Sequence, residues 1–199
     1  MIWLLKEKTR RQPYTTILNT SRFQLRPACR EDHAQWAMVR NRNYSYLKPF
    51  EPEWPRACLE KDFFERRVVR LEQDWRFDRT YAFLIFEDGA ETLIGGININ
   101  NVTRGAAQFG ALGYWLSEEA QGKGAMTEAA HAALTYAFKE LGLARMNAAT
   151  LVHNAKSRAM LQRLGFSEEG FAKKYIQIDG RRQDHVLYGL DAQDFLSAS

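Results

Sequence analysis

The chain has 199 residues, 45% hydrophobic and 26% charged, enough for one well-buried domain and short for two. No apolar run approaches the roughly 18 residues of a membrane span, and Met1–Leu5 followed by Lys6-Glu7-Lys8 is too short and wrongly flanked for a signal peptide, so a cytoplasmic protein is expected. Cys29 and Cys58, the two cysteines, have no metal-ligand spacing, so neither a disulfide framework nor a metal is expected, and the formal net charge of +4 is moderate.

Residues 1–15 read as an N-terminal lead-in. A strand near Phe23–Arg26 precedes a helix beginning around Glu31-Asp32, where acidic residues suit the first turn. Pro49, Pro52 and Pro55 impose an irregular stretch before a second helix from about Ala57 to Gln73. Tyr81–Phe86 and Leu93–Asn101 flank Asp88-Gly89, a hairpin signal, and Phe109–Leu116 reads as a third antiparallel strand. Ser117–Ala120 then connects to Gln121-Gly122-Lys123-Gly124-Ala125-Met126.

That stretch opens a long amphipathic helix. Apolar residues recur at Ala125/Met126, Ala129/Ala130, Ala133/Leu134, Ala137/Phe138 and Leu141, and Gly142 ends the pattern. The two glycines permit a tight turn that exposes unpaired N–H groups at the positive end of the helix dipole, a setting for a pyrophosphate. Lys123 adds a point charge. Neither G-x-x-x-x-G-K-[ST] nor G-x-G-x-x-G fits, because Gly122, Gly124 and Thr127 supply two of the three glycines of the latter. An ordinary helix start is the alternative. A strand Arg145–Val152, a short helix Ala155–Leu164 and two closing strands follow; Asn154 sits where an N-cap belongs, with Ser157 in the first turn.

Basic residues cluster at Lys6/Lys8/Arg10/Arg11, Arg66/Arg67/Arg70, Lys173/Lys174 and Arg181/Arg182. Such runs are usually solvated faces; coenzyme polyphosphate and ribosomal RNA are the functional readings. No aromatic-rich RNA-reading motif accompanies them, so sequence-specific nucleic-acid recognition is not expected.

Gln121-x-x-Gly124-x-Met126 in a strand–loop–helix setting resembles the acetyl-CoA loop of the GNAT superfamily of N-acetyltransferases, Met126 departing from the small last residue. Thr20–Arg26, Asn154-x-x-Ser157 and Leu164-Gly165-Phe166 resemble further marks of that superfamily, in the same order. Leu47–Pro52, Asn101–Gly105, Leu112-Gly113-Tyr114 and Ala172–Gly180 with Asp184-His185 resemble the Rim subgroup, which acetylates the N-termini of ribosomal proteins, and its RimJ type in particular.

The resemblance implies an α/β fold: one acetyltransferase domain over 16–196, with a mixed, mostly antiparallel sheet of about seven strands, splayed at the cofactor site, and helices on both faces. It implies acetyl-CoA as cosubstrate, bound by the main chain of Tyr114 and Leu116, the loop Gln121, Gly122, Lys123, Gly124, Ala125, Met126 and Thr127, and Asn154 and Ser157. The side chains of Tyr114 and Trp115 read as ordinary alternating strand residues. Ser157 is the implied acid for the departing thiolate. The implied acceptor is a ribosomal-protein N-terminus, the N-terminal alanine of the fifth small-subunit protein, with basic clusters able to touch the ribosomal particle. Another amine acceptor, or a ribosome-assembly binding factor, are the alternatives.

The acid–base pair of RimI-type members is missing, since Ala149 and Leu161 stand at its positions, and Ile176 replaces the RimL-type glutamate. Glu51, Glu119, His153, Asp184 and His185 remain as titratable candidates. A protein α-amine, with a pKa of about 7.7–8.0, is roughly one-third neutral at pH 7.5, against about 0.1% for a lysine, so a strong base is less necessary for N-terminal acetylation.

Overall fold

The structure is a computed structural model describing residues 13–89 and 91–198; Lys6, Lys8, Arg10, Arg11 and most of the expected lead-in lie outside the described residues. Its elements are β1 (Leu18–Asn19), β2 (Phe23–Arg26), α1 (His33–Arg42), α2 (Tyr44–Leu47), α3 (Lys61–Arg76), β3 (Tyr81–Glu87), β4 (Thr92–Thr103), β5 (Phe109–Leu116), α4 (Ala125–Thr135), β6 (Arg145–Leu151), α5 (Ala155–Arg163), β7 (Ser167–Ile178), β8 (Arg181–Asp191) and α6 (Ala192–Ser197).

One eight-stranded sheet runs β1-β2-β3-β4-β5-β6-β8-β7. The expected seven strands gain the two-residue β1, held against β2 at Leu18↔Leu25 and Asn19↔Gln24. All neighbours are antiparallel except β5 and β6. Helices cover both faces. Strand β3 is buried from Tyr81 to Phe86, which is why it reads as a continuous apolar run and not an alternation. On one face Tyr81, Phe83 and Ile85 pack with α4; on the other Leu84 and Phe86 pack with Trp36 of α1 and Phe64 and Val68 of α3. Ala129, Ala130 and Ala133 are wholly buried, so small side chains bring α4 close to the sheet.

Several boundaries differ from the sequence pattern for local reasons. A 3-10 turn, Arg30–Asp32, precedes α1, with the Asp32 carboxylate accepting from the Cys29 N–H and the Arg26 guanidinium. Helix α3 starts at Lys61, not near Ala57, because turns close at Cys58 N–H to Pro55 O and Glu60 N–H to Ala57 O. The glycine-loop helix is α-helical to Thr135 and then makes one π turn, Tyr136–Glu140. Tyr136 packs edge-on against Tyr81 and Phe83 there, and Gly142 with φ +65° stops the helix. The short α6 has no counterpart among the expected elements.

Gly96 is paired with Trp115 across β4 and β5, and a Cβ there would lie 2.5 Å from the indole Nε1 and 3.3 Å from the Phe83 carbonyl. The indole also lies 4.8 Å from the Arg40 guanidinium, itself 4.0 Å from the Trp54 ring. Gly96→Ala is therefore expected to lower stability by about 1–3 kcal/mol, the range for overpacking a filled core, as read by denaturant unfolding. Unchanged unfolding would mean that Trp115 moves aside freely.

Candidate active site

The sheet parts in the middle. Strands β5 and β6 are paired only at Phe109↔Arg145, Gly110↔Met146 and Ala111↔Asn147, while β5 stays paired with β4 as far as Leu116 and β6 with β8 as far as Leu151. Between Leu112–Leu116 and Ala148–Leu151 two backbone edges face a gap, leaving peptide groups without ladder partners across it. Thr150, in the unpaired part of β6, is 4% exposed and its buried Oγ1 has no partner.

The glycine loop lies at the end of β5. Gly122 and Gly124 have φ of +73° and +76°, and Gly124 is the N-cap of α4 with no side-chain cap. A left-handed N-cap without an oxygen side chain leaves the first-turn N–H groups of Ala125, Met126 and Thr127 open to an outside acceptor. A Cβ on Gly122 would meet nothing within 4 Å, so the loop is open on that side. Ala125 and Met126 put their side chains in the core, which explains why the large Met126 is tolerated. A cavity of about 1380 Å³ borders Gly122, Gly124 and Thr127 and extends along α4.

Residues distant in sequence brace this loop. The Arg22 guanidinium donates to the Lys123 carbonyl at 2.9 Å and to Glu128 at 2.7 Å, and the Ser21 hydroxyl donates to Glu128 at 2.8 Å. Partial desolvation opposes ionisation of Glu128, but hydrogen bonds from Thr20, Arg22 and Ser21 outweigh it and hold the carboxyl at about 2. Gln121 has another set of partners: its amide donates to the Tyr46 hydroxyl and accepts from the Lys156 ammonium at 2.9 Å. Tyr46 in turn neighbours Phe50, and Phe50 neighbours His153, at ring separations of 6.3 and 6.1 Å. Gln121 thus joins α2, the glycine loop and the start of α5.

Asn154 caps α5, its side-chain oxygen accepting from the Ser157 N–H at 3.1 Å. The Ser157 hydroxyl is left for other work. It is hydrogen-bonded at 2.5 Å to the Tyr114 hydroxyl, from the unpaired part of β5. Burial, partly offset by the Ser157 bond, pushes the Tyr114 phenol up to about 12. The expectation for Tyr114 concerned its backbone alone; the structure gives its side chain a partner in the site. Leu116 is buried in the core, and Lys123 is exposed.

The titratable candidates are dispersed. Glu51 is clamped by Arg40 at 2.5 and 2.7 Å and by the Trp54 indole N–H; Glu119 pairs with Arg42; Asp184 accepts from the Lys174 N–H. His185 is buried with Nδ1 3.0 Å from the Gln183 carbonyl, and His153 neighbours Phe50. Leu161 is wholly buried. Sequence reasoning missed the Tyr114 side chain, Tyr46 and the Arg22–Glu128 brace. Arg22 lay within a recognised segment, but no local periodicity links residues 106 positions apart. Among the described residues, no cluster of three or more His, Cys, Asp or Glu could hold a metal ion, and no helix is long and apolar enough to cross a membrane.

Residues 22–167 match the acetyltransferase (GNAT) domain family. The chain is 33% identical over 178 residues, 89% of its length and 92% of the relative's, to the ribosomal protein uS5-alanine N-acetyltransferase of Escherichia coli K12. Among solved structures it is similar to the ribosomal-protein-S5-alanine acetyltransferase of Vibrio fischeri, at 30% identity and a TM-score of 0.84, over 90% of this chain and 98% of the other. It also resembles Mycobacterium smegmatis RimJ in complex with a CoA-disulfide, at 30% identity and a TM-score of 0.81, over 88% of each chain. A parted sheet beside an uncapped helix N-terminus, found in a chain matching that family over most of its length, makes this protein a member of the GNAT acetyltransferase family.

Proposed function

We propose that this chain transfers an acetyl group from acetyl-CoA to the N-terminal α-amine of a ribosomal protein, with the N-terminal alanine of uS5 as its acceptor. The parting of β5 from β6, opening onto the uncapped N-terminus of α4, carries the proposal. The similarity to the uS5-alanine enzymes over nearly the whole of each chain supports the acceptor. A ribosomal substrate also implies a cytoplasmic site of action. The exposed Lys173, Lys174, Arg181 and Arg182 of the β7–β8 hairpin suit contact with ribosomal RNA, by charge and not by base reading.

The residues present fit acetyl-CoA. The N–H groups from Gly122 to Thr127 form a cradle for a pyrophosphate, the unpaired edges at Tyr114, Leu116 and the outer part of β6 suit the amides of a pantetheine arm, and the unpartnered Thr150 hydroxyl adds a polar contact. Acetyl-CoA supplies the thioester carbonyl and a thiolate leaving group. In this reading Ser157 gives the thiolate a proton from Oγ. Of the carboxylates considered as bases, Glu51, Glu119 and Asp184 each already have a partner, which accords with an acceptor whose amine is substantially neutral near pH 7.5.

Acetyl-CoA at a hundred times its dissociation constant is expected to stabilise the protein by about 2.7 kcal/mol. Gly124→Val is expected to remove that gain, because a branched residue is strained at φ +76°. A full rise in melting temperature with acetyl-CoA in this variant would refute the loop assignment.

With peptides, mass spectrometry is expected to find the acetyl group on the N-terminus of alanine-initiated sequences. The same peptides with a blocked N-terminus and an available lysine are expected to remain unmodified. Acetylation of the lysine side chain would overturn the proposed acceptor.

Ser157→Ala is expected to lower kcat by about 10²-fold, the lower end of general acid catalysis, with little change in acetyl-CoA affinity. The cap survives in this variant, since Asn154 accepts from the backbone N–H of residue 157 and not from its hydroxyl. Unchanged turnover would leave Ser157 as a first-turn helix residue.

A further inference from the structure

Tyr114 and Ser157 come from opposite sides of the parted sheet: one from the part of β5 that has left β6, the other from the first turn of α5. They are 43 residues apart in sequence and joined hydroxyl to hydroxyl at 2.5 Å. A phenol packed partly against the hydrophobic core and held by one serine is a rigid group, because two dihedral angles fix its oxygen. A serine side chain has one dihedral angle and a freely rotating hydroxyl hydrogen, so something else must decide where that hydrogen points.

We infer that Tyr114 is a positioning residue for the acetyl transfer: its phenol donates to Ser157 Oγ, and the Ser157 hydrogen is thereby directed to the departing sulfur. The inference rests on the reading of Ser157 as the acid. When the C–S bond breaks, the Ser157 O–H bond breaks and an S–H bond forms. The Tyr114 hydrogen bond stabilises the charge developing on Oγ, and solvent returns a proton to it. The acceptor amine releases one proton to solvent as the amide forms, so protons balance. Because burial raises the phenol's pKa, Tyr114 keeps its hydrogen at neutral pH and remains a donor. The titratable neighbour that bears on the phenol besides Ser157 is Tyr188 of β8, whose own hydroxyl is 3.1 Å from Arg158 and 3.4 Å from Glu168.

The test is a double-mutant cycle with a pH profile. Tyr114→Phe retains the ring and is expected to lower kcat on the order of tenfold, about what one hydrogen bond near 1.4 kcal/mol is worth, with KM for acetyl-CoA nearly unchanged. In a Ser157→Ala background the same substitution is expected to have no further effect on kcat. Fluorinated tyrosine at position 114 has a more acidic phenol; it is expected to lose turnover at a lower alkaline pH than the native protein, because a phenolate accepts the Ser157 hydrogen instead of directing it. Equal losses from Tyr114→Phe in both backgrounds, no loss in either, or a fluorotyrosine profile like the native one would overturn the inference. Loss with Ser157→Ala but not with Tyr114→Phe defeats the role of Tyr114 alone; no loss with Ser157→Ala defeats the acid itself and this inference with it.

Discussion

The three pairs at which β5 and β6 stop are the constraint on which the site depends. A sheet interior seldom leaves peptide groups unpaired, since each buried orphan is worth about 1–3 kcal/mol against the fold. The gap persists because each strand is fully committed elsewhere: β5 to β4 through Leu116, and β6 to β8 through Leu151. The Trp115 indole fills the space above Gly96 and reinforces the first pairing. An amide chain entering the gap would supply the missing partners, so the open edges are a template for an extended ligand.

The uncapped N-terminus of α4 follows the same logic. An Asn, Asp or Ser in place of Gly124 would be strained at φ +76° and, if its side chain capped the helix, would gain only about a few tenths of a kcal/mol over glycine while occupying the position an anion needs. Stability is recovered outside the loop, where the Arg22–Glu128 pair and Ser21 hold the loop carbonyl and the first helical turn from the β1–β2 connection. The proposed anion site is therefore braced from behind.

How much was legible in the sequence follows from the range of the forces involved. The hairpin at Asp88-Gly89, the α4 stripe and the cap at Asn154 are set within a few residues, and their patterns identify them. Boundaries moved by a residue or a few where a local side-chain bond or turn competed with the helix, as when Arg26 and the Cys29 N–H took the Asp32 carboxylate and α1 began at His33. The π turn at Tyr136 depends on the rings of Tyr81 and Phe83, which no helical period encodes. In the site, glycines mark the loop because left-handed backbone calls for them locally. The Tyr114–Ser157 bond arises only when β5 and α5 are brought together, and alternation along β5 makes its tyrosine look ordinary.

The partners of Gln121, Tyr46 of α2 and Lys156 of α5, bear on how two substrates would meet at the proposed site. Gln121 adjoins the proposed phosphate cradle, whereas Tyr46 and Phe50 belong to the segment that leads to Glu51, clamped by the Arg40 guanidinium. One amide therefore ties the glycine loop to that segment. A dipole with both ends occupied resists displacement, because moving it strands a donor and an acceptor together. An amine attacking a thioester needs a fixed separation, since misplacement by about 1 Å is enough to slow such a step by about 10²-fold, and in the proposed site the bonds of Gln121 to α2 and α5 serve that end.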